Sequence, residues 1–306
     1  MTAETGLVPR AFESGLTSVI VVTADSGPLA LRCVEGVLAS ESRVELVLVD
    51  NASKDGQPDA IESRFGADPR LRVLRNADNL GFGTACNRGA GVASGDALLI
   101  LNPDCLIDSQ VVGRLREAAR QLDDAGVLGV RILDGKGDVE PASRRRDPTL
   151  ARALRSLSGR VPGLGGRGGV NMIDVPASAA PERVDAISGA CMFLPRAAFV
   201  RLGGFDEAYF LHCEDLDLCR RARDTGHAVY HLSTISVRHE QGSSSYRRPL
   251  FVSRHKHRSM WRYFRRFDAA AGNPLVSGLV WLGIWTHFAM LAPLNAWRQW
   301  RARRSS

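Results

Sequence analysis

The sequence predicts an α/β fold with a doubly wound sheet and helices on both faces. Two observations carry that prediction. Over residues 17–101, short β-branched runs alternate with stretches of helical spacing. The runs are also continuously apolar rather than alternating, as in strands covered on both faces of a parallel sheet. In order, Thr17–Thr23 (TSVIVVT), Glu45–Asp50 (ELVLVD), Leu71–Leu74 and Ala97–Leu101 (ALLIL) read as strands. Between them Pro28–Ser40, Pro58–Phe65 and Thr84–Ala93 read as helices, two of them opening on a proline suited to the first helical position. A β-α-β-α order implies a sheet with helices on each side. Ligands of such sheets bind at the carboxyl ends of the strands.

Residues 143–183 break the pattern with Arg144-Arg145-Arg146 and a glycine-rich run, and read as a long loop. Pattern returns with a strand-like VDAISGACMFL at 184–194, a helix around Arg196–Leu202, a helix Asp215–Thr225 closed by Gly226, and strands through Val237.

The 306 residues, 44% hydrophobic and 24% charged, exclude a disordered or fibrous chain. The net charge of +7 would suit a nucleic-acid binder, but it is unevenly placed. From Gln241 onward there are 12 bases against Asp268 alone, whereas residues 1–240 hold 28 bases and 32 acids. The body is mildly acidic, so it does not line a duplex, and no nucleic-acid partner is expected. Six cysteines form no C-x-x-C pair, and no secretory signal is expected at the N-terminus.

Four polar clusters follow the strands. Asp50-Asn51 ends one of them, where an aspartate accepts from a pyrimidine imide N–H or else caps a turn. Asn79-Leu80-Gly81-Phe82-Gly83 with Asn87-Arg88-Gly89 precedes a helix, so its backbone N–H groups either approach a phosphate or simply join loop to helix. Asn102-Pro103-Asp104 follows the most apolar strand, and a carboxylate there suits a divalent cation, with His239 at the end of SVRH as the distant partner. Imidazole favours Mn²⁺ over Mg²⁺. Glu214, Asp215 and Asp217 crowd a helix start beyond what capping needs. Asp215 is the candidate general base, with Glu214 orienting the acceptor or raising that pKa by like charge, and Asp217 contacting acceptor or facing solvent.

Taken together, VDNASKDG (49–56), NADNLGFGTACNRG (76–89), LILNPDC (99–105), SGACMFLPRAAF (188–199), GGFDEAYFLHCEDLDLCRRARDTG (203–226) and RHEQGSSS (238–245) resemble family 2 glycosyltransferases of the GT-A fold, in their bacterial rhamnosyltransferase branch. The resemblance implies a catalytic domain over 17–245, after a tail at 1–16. It implies inverting, metal-dependent transfer of L-rhamnose from dTDP-L-rhamnose to a polyprenyl-diphosphate-linked or growing cell-envelope glycan. A UDP donor carrying galactose or N-acetylglucosamine is the alternative, and a nucleotide-binding membrane scaffold with lapsed catalysis is the alternative of another class. On matching positions, Asp50 contacts the pyrimidine, and Asn51, Asn79, Gly81, Gly83, Asn87 and Asn102 lie beside the nucleotide. Asp104 and His239 hold Mg²⁺ or Mn²⁺ on the diphosphate, and Asp215 is the base. The family's T-Y-N is Thr23-Ala24-Asp25 here, which removes the aromatic and leaves Thr23 and Asp25 near the nucleotide. Arg144 and Arg145, in the loop at 143–183, are assigned to an acceptor diphosphate by charge.

Residues 246–306 are basic and then apolar, and Ala269–Trp297 contains no charged residue. Leu275–Leu294 is about 30 Å as a helix, close to a bilayer core. Arginines flank both ends, and Pro293 and His287 interrupt the run. An amphipathic or re-entrant element on an anionic membrane surface is therefore expected, placing the protein on the cytoplasmic face of the plasma membrane. A buried helix, or packing against a second subunit as a homo-oligomer, is the other possibility.

Overall fold

The computed structural model describes residues 12–158, 168–173, 175–240 and 248–304. The chain opens with strand β1 (Glu13–Thr23), helix α1 (Leu29–Leu38), β2 (Val44–Asp50), α2 (Gln57–Phe65), β3 (Leu71–Arg75), α3 (Phe82–Val92) and β4 (Gly95–Leu101). These reproduce the expected strands and helices of the first third, except that β1 begins inside the expected N-terminal tail. Short β5 (Cys105–Leu106), α4 (Val111–Arg120) and β6 (Ala125–Leu133) follow. Next come β7 (Arg144–Arg145), α5 (Leu150–Ser158), β8 (Glu182–Arg183), β9 (Ala186–Ile187), β10 (Cys191–Pro195), α6 (Arg196–Arg201), α7 (Glu214–Asp224) and β11 (Ala228–His239). Two long helices close the chain, α8 (Pro249–Phe267) and α9 (Pro274–Arg304).

Among the described residues the main sheet runs β3-β2-β1-β4-β10-β6-β11-β5, with β8 also on β11. Strands β1 to β4 are parallel, β10 is antiparallel to both its neighbours, and β6 and β11 are parallel again. The sheet is therefore mixed. Its apolar strands are covered on one face by α1, α2 and α4, through residues such as Val34, Ile61 and Leu115. The other face is covered by α3, α6 and α7, through Cys86, Phe199 and Leu218. Continuous hydrophobicity along β1, β2 and β4 is what burial on two sides requires. Arg196, itself buried, donates to the carbonyls of Ala90, Ala93 and Gly95, satisfying the C-terminal end of α3.

Three expectations are corrected. The 143–183 stretch is not all loop: α5 lies in it, with Leu150 N–H donating to Asp268 across the fold, while part of the glycine-rich run falls outside the described residues. The strand-like 184–194 segment is two strands in different sheets, because Ser188-Gly189-Ala190 bends the chain between β9 and β10. Finally, α8 belongs to the body rather than to a separate membrane segment. Its Ser259 donates to Leu211 O, Arg262 and Arg266 pair with Asp206, and Tyr263 is buried against Asp147.

Helix α9 is continuous, about 46 Å long. Within it Pro274–Arg301 contains an 18-residue window of mean hydropathy 1.6, 6% of it buried, and is long and apolar enough to cross a membrane by length and composition. Its apolar residues lie all around the circumference, and Leu275, Trp281, Leu294 and Trp300 are exposed. The expected amphipathic or re-entrant element is thus an uninterrupted helix without a polar face, and a helix buried in the domain is excluded. His287, an obstacle to an apolar run, meets α8 instead. His257 Nδ1 donates to Ser253 O at 2.6 Å, so neutral His257 accepts at Nε2 from His287 Nδ1, 2.9 Å away.

Candidate active site

One cavity of about 2670 Å³ lies along the carboxyl ends of β1, β2 and β4 and extends to α5, α8 and α9. Its floor is built by strand pairing. Strand β5 pairs antiparallel with the end of β11, with Cys105 opposite His239, and this sets Asp104 beside the imidazole. His239 Nε2 is 3.0 Å from Asp104 Oδ1, and Nδ1 donates to Glu140 Oε1 at 2.9 Å. Burial works against protonation of this ring, but the two carboxylates raise its pKa to about 10. Two acids around one imidazole leave the cluster negative even with the proton on. The pair suits a divalent cation: 3.0 Å is about the spacing of adjacent ligands held at ~2.1 Å in octahedral geometry. A cation would replace the proton at Nε2, and Glu140 would hold the ring from behind, as carboxylates behind metal-bound histidines do. Cys105 also lies within ligand range, but its buried thiol points to Ala190 O and burial pushes its pKa well up, so it stays a thiol. Glu140 was not found from sequence, because it sits in a turn 99 residues from His239.

A second carboxylate cluster opens α7. His212 and Cys213, both at φ +67°, swing the chain into the helix so that Glu214 and Asp215 face the cavity. Such left-handed non-glycine residues are uncommon and concentrate at functional sites. Asp215 Oδ2 accepts from Arg145 Nη2 at 2.5 Å and from Gly189 N–H at 3.0 Å, and Oδ1 accepts from Leu216 N–H at 2.8 Å. A side chain at Gly189 would stand 3.2 Å from Asp215 Cβ, so glycine there lets the loop close on the carboxylate. Burial opposes the Asp215 charge, but Arg145 and these donors outweigh it and hold the carboxyl below its usual range. Glu214 has no such partner. Burial, then the charge of Asp215, push it up to about 8. The like-charge effect expected on Asp215 therefore falls on Glu214, a correction made by Arg145. His212 lines the same wall and is kept neutral, with burial and then Lys256 pushing its pKa down to about 4.

Around the carboxyl ends of β1, β2 and β4, Asp25, Asn51, Asn79, Gly81 and Asn102 line the cavity, joined by Lys54 and Asp55, which the sequence reading did not assign to the site. Asn51 ties the loops together, donating to Asn79 Oδ1 and Gly81 O and accepting from Asn76 and Leu80. Gly81 takes φ +86°, and a Cβ there would meet Phe210 O at 2.5 Å. Asp25 accepts from Lys54 N–H at 2.6 Å.

Other expected contacts are placed differently. Thr23 is fully buried, and Asp50 accepts from Ser53 N–H at 2.9 Å with Arg75 3.5 Å away; neither lines the cavity. Asn87 is spent on Phe205 and Glu207, and Gly83 packs on Phe205, so both fasten α3 to the 203–207 loop. Asp217 neither lines the cavity nor faces solvent. It is fully buried between Arg221, at 2.5 Å, and Arg266, at 2.8 Å. Arg144 pairs with Glu182 at 2.8 Å and also donates to Val175 O, outside the cavity; of the expected pair only Arg145 reaches it.

A mixed sheet with helices on both faces, carrying a carboxylate–imidazole pair and a helix-start aspartate over one cleft, defines a GT-A-type transferase. The chain belongs to glycosyl transferase family 2, whose profile matches residues 18–174, and it is a glycosyltransferase. It is 32% identical over 244 residues to the N-acetylglucosaminyl-diphospho-decaprenol L-rhamnosyltransferase of Mycobacterium tuberculosis, covering 76% of this chain and 78% of that one. It is also 32% identical over 152 residues to the rhamnosyltransferase WbbL of Escherichia coli K12, covering 48% and 53%. A mannosyltransferase from Pyrobaculum calidifontis, solved with GDP-Man and Mn²⁺, shares the fold at TM-score 0.56 and 17% identity over 94% of this chain and 73% of that one.

Proposed function

We propose that the protein transfers L-rhamnose from dTDP-L-rhamnose, with inversion, to a sugar carried on a polyprenyl diphosphate in cell-envelope assembly. The 32% identity to a decaprenol-linked rhamnosyltransferase over most of both chains carries this reading. In it, Asp25, Asn51, Asn79, Gly81 and Asn102 surround the nucleotide. Asp104 and His239 hold Mg²⁺ or Mn²⁺, which supplies positive charge against the donor diphosphate. Asp215 takes the proton of the acceptor hydroxyl as that oxygen bonds to the anomeric carbon and the diphosphate leaves. A low pKa suits a group that must be ionised before reaction, and Arg145 keeps it so. Glu214, protonated at neutral pH, adds no second charge beside it.

The apolar exposure of α9 and the arginines in its last turns support attachment to an anionic membrane on the cytoplasmic side, where nucleotide sugars are made. The test is a donor screen by product mass spectrometry, with polyprenyl-diphosphate-GlcNAc as acceptor and Mg²⁺ or Mn²⁺ present. A deoxyhexose product from dTDP-L-rhamnose is expected. Transfer only from UDP-galactose or UDP-N-acetylglucosamine would replace the donor assignment, and donor binding without transfer from any of them would favour a lapsed scaffold.

A further inference from the structure

The cavity is much larger than a nucleotide sugar and a second sugar require. Beyond Asp215 it continues between α8 and α9, where its character changes. Val276, Val280, Ile284 and Leu291 recur at helical spacing along the side of α9 that lines it, and Met260 and Phe264 line it from α8. Where this apolar cleft meets the polar site stand Arg248 and Lys256. Arg248 faces Asp25 at 3.7 Å, and Arg262 and Arg266 of the same helix are matched to Asp206. Among the described residues Lys256 has no acid partner, so its charge is available to an anion.

The order from the strand ends outward is thus carboxylates, then a free base, then an apolar cleft on a helix with little buried surface. We infer that the cleft between α8 and α9 seats the lipid of the acceptor: its diphosphate at Lys256 and Arg248, its first isoprene units along Val280 and Ile284, and its sugar at Asp215. This assignment rests on the lipid-linked acceptor of the proposed function. Charge complementarity and continuity with the reaction site select this occupant, since a bilayer acyl chain or a second copy of the chain needs neither.

Binding without donor separates the two readings. The full chain in detergent is titrated with labelled undecaprenyl diphosphate and with inorganic pyrophosphate, which carries no lipid. Ile284→Glu places a charge in the cleft and should weaken undecaprenyl diphosphate at least about tenfold while leaving inorganic pyrophosphate unchanged. Leu282→Glu, on α9 but outside the cleft, should change neither by more than about twofold. Lys256→Gln should weaken both ligands to the same degree. All three variants are checked for wild-type far-ultraviolet dichroism and thermal midpoint. Equal effects of Ile284→Glu and Leu282→Glu, or none, would overturn the assignment. So would loss of vesicle binding with diphosphate binding intact, which makes bilayer lipid the occupant, or a change of oligomeric state by light scattering, which makes it a second copy. Intact lipid binding without rhamnosyl product would instead count against the donor reading alone.

Discussion

The two carboxylate clusters facing the cavity contain the same kinds of group and hold them in opposite electrostatic states. Around His239, Asp104 and Glu140 outnumber the single imidazole and raise its pKa, so negative charge is left over for a cation. At the start of α7 every charged acid is matched, Asp215 by Arg145 and Asp217 by Arg221 and Arg266, while Glu214 is protonated. Burial disfavours charge in both places; at Asp215 Arg145 outweighs it, whereas at Asp217 burial keeps the carboxyl above its usual range despite Arg221 and Arg266. One cluster is built to gain positive charge and the other to hold one ionised oxygen ready for a proton.

Breaking each cluster should therefore fail differently. The largest effect is expected for Asp215→Asn, which removes the proton acceptor; transfer should fall by about 10³-fold in kcat, with donor KM little changed, measured by product formation under saturating donor. Glu140→Gln should act on the other cluster through His239, weakening Mn²⁺ by about 10–100-fold in calorimetric titration while the Asp215 environment stays intact.

Asp217→Asn should destabilise the fold by about 1–2 kcal/mol in urea unfolding, because a buried carboxylate gives up its pairs with half-buried Arg221 and solvent-screened Arg266, yet leave acceptor KM unaltered. The smallest effect is a slope. Glu214 has a folded pKa near 8, above its ordinary 4.5, so the folded state binds a proton that the unfolded state has released. Its contribution is fully present below about pH 4.5 and is lost as pH rises through 8. The urea midpoint of the wild type should fall over that interval relative to Glu214→Gln, in which the slope disappears.

Much of this was legible in the sequence, and the limit has a physical form. Strands β1 to β4 were readable because two-sided burial writes itself as unbroken apolar runs, and the polar residues after them could be located by rule. Asp104, His239 and Asp215 were found in that way. Arg145 and Glu140 act through pairs 70 and 99 residues apart, which no local pattern encodes. Asn87 and Asp217 illustrate the converse: a polar residue in a motif serves packing as well as chemistry, and only its partners tell which. Helix α5 was missed because its periodic stretch is short and lies between an arginine run and glycines.

The most direct test of the difference between the clusters is calorimetry of dTDP binding with and without Mn²⁺ in wild type, Asp104→Asn and Asp215→Asn. The cation should strengthen dTDP binding in wild type and in Asp215→Asn, and should have no such effect in Asp104→Asn. If Asp215→Asn loses cation-dependent binding as completely as Asp104→Asn, the two clusters are one structural unit and the division of labour drawn between them is wrong.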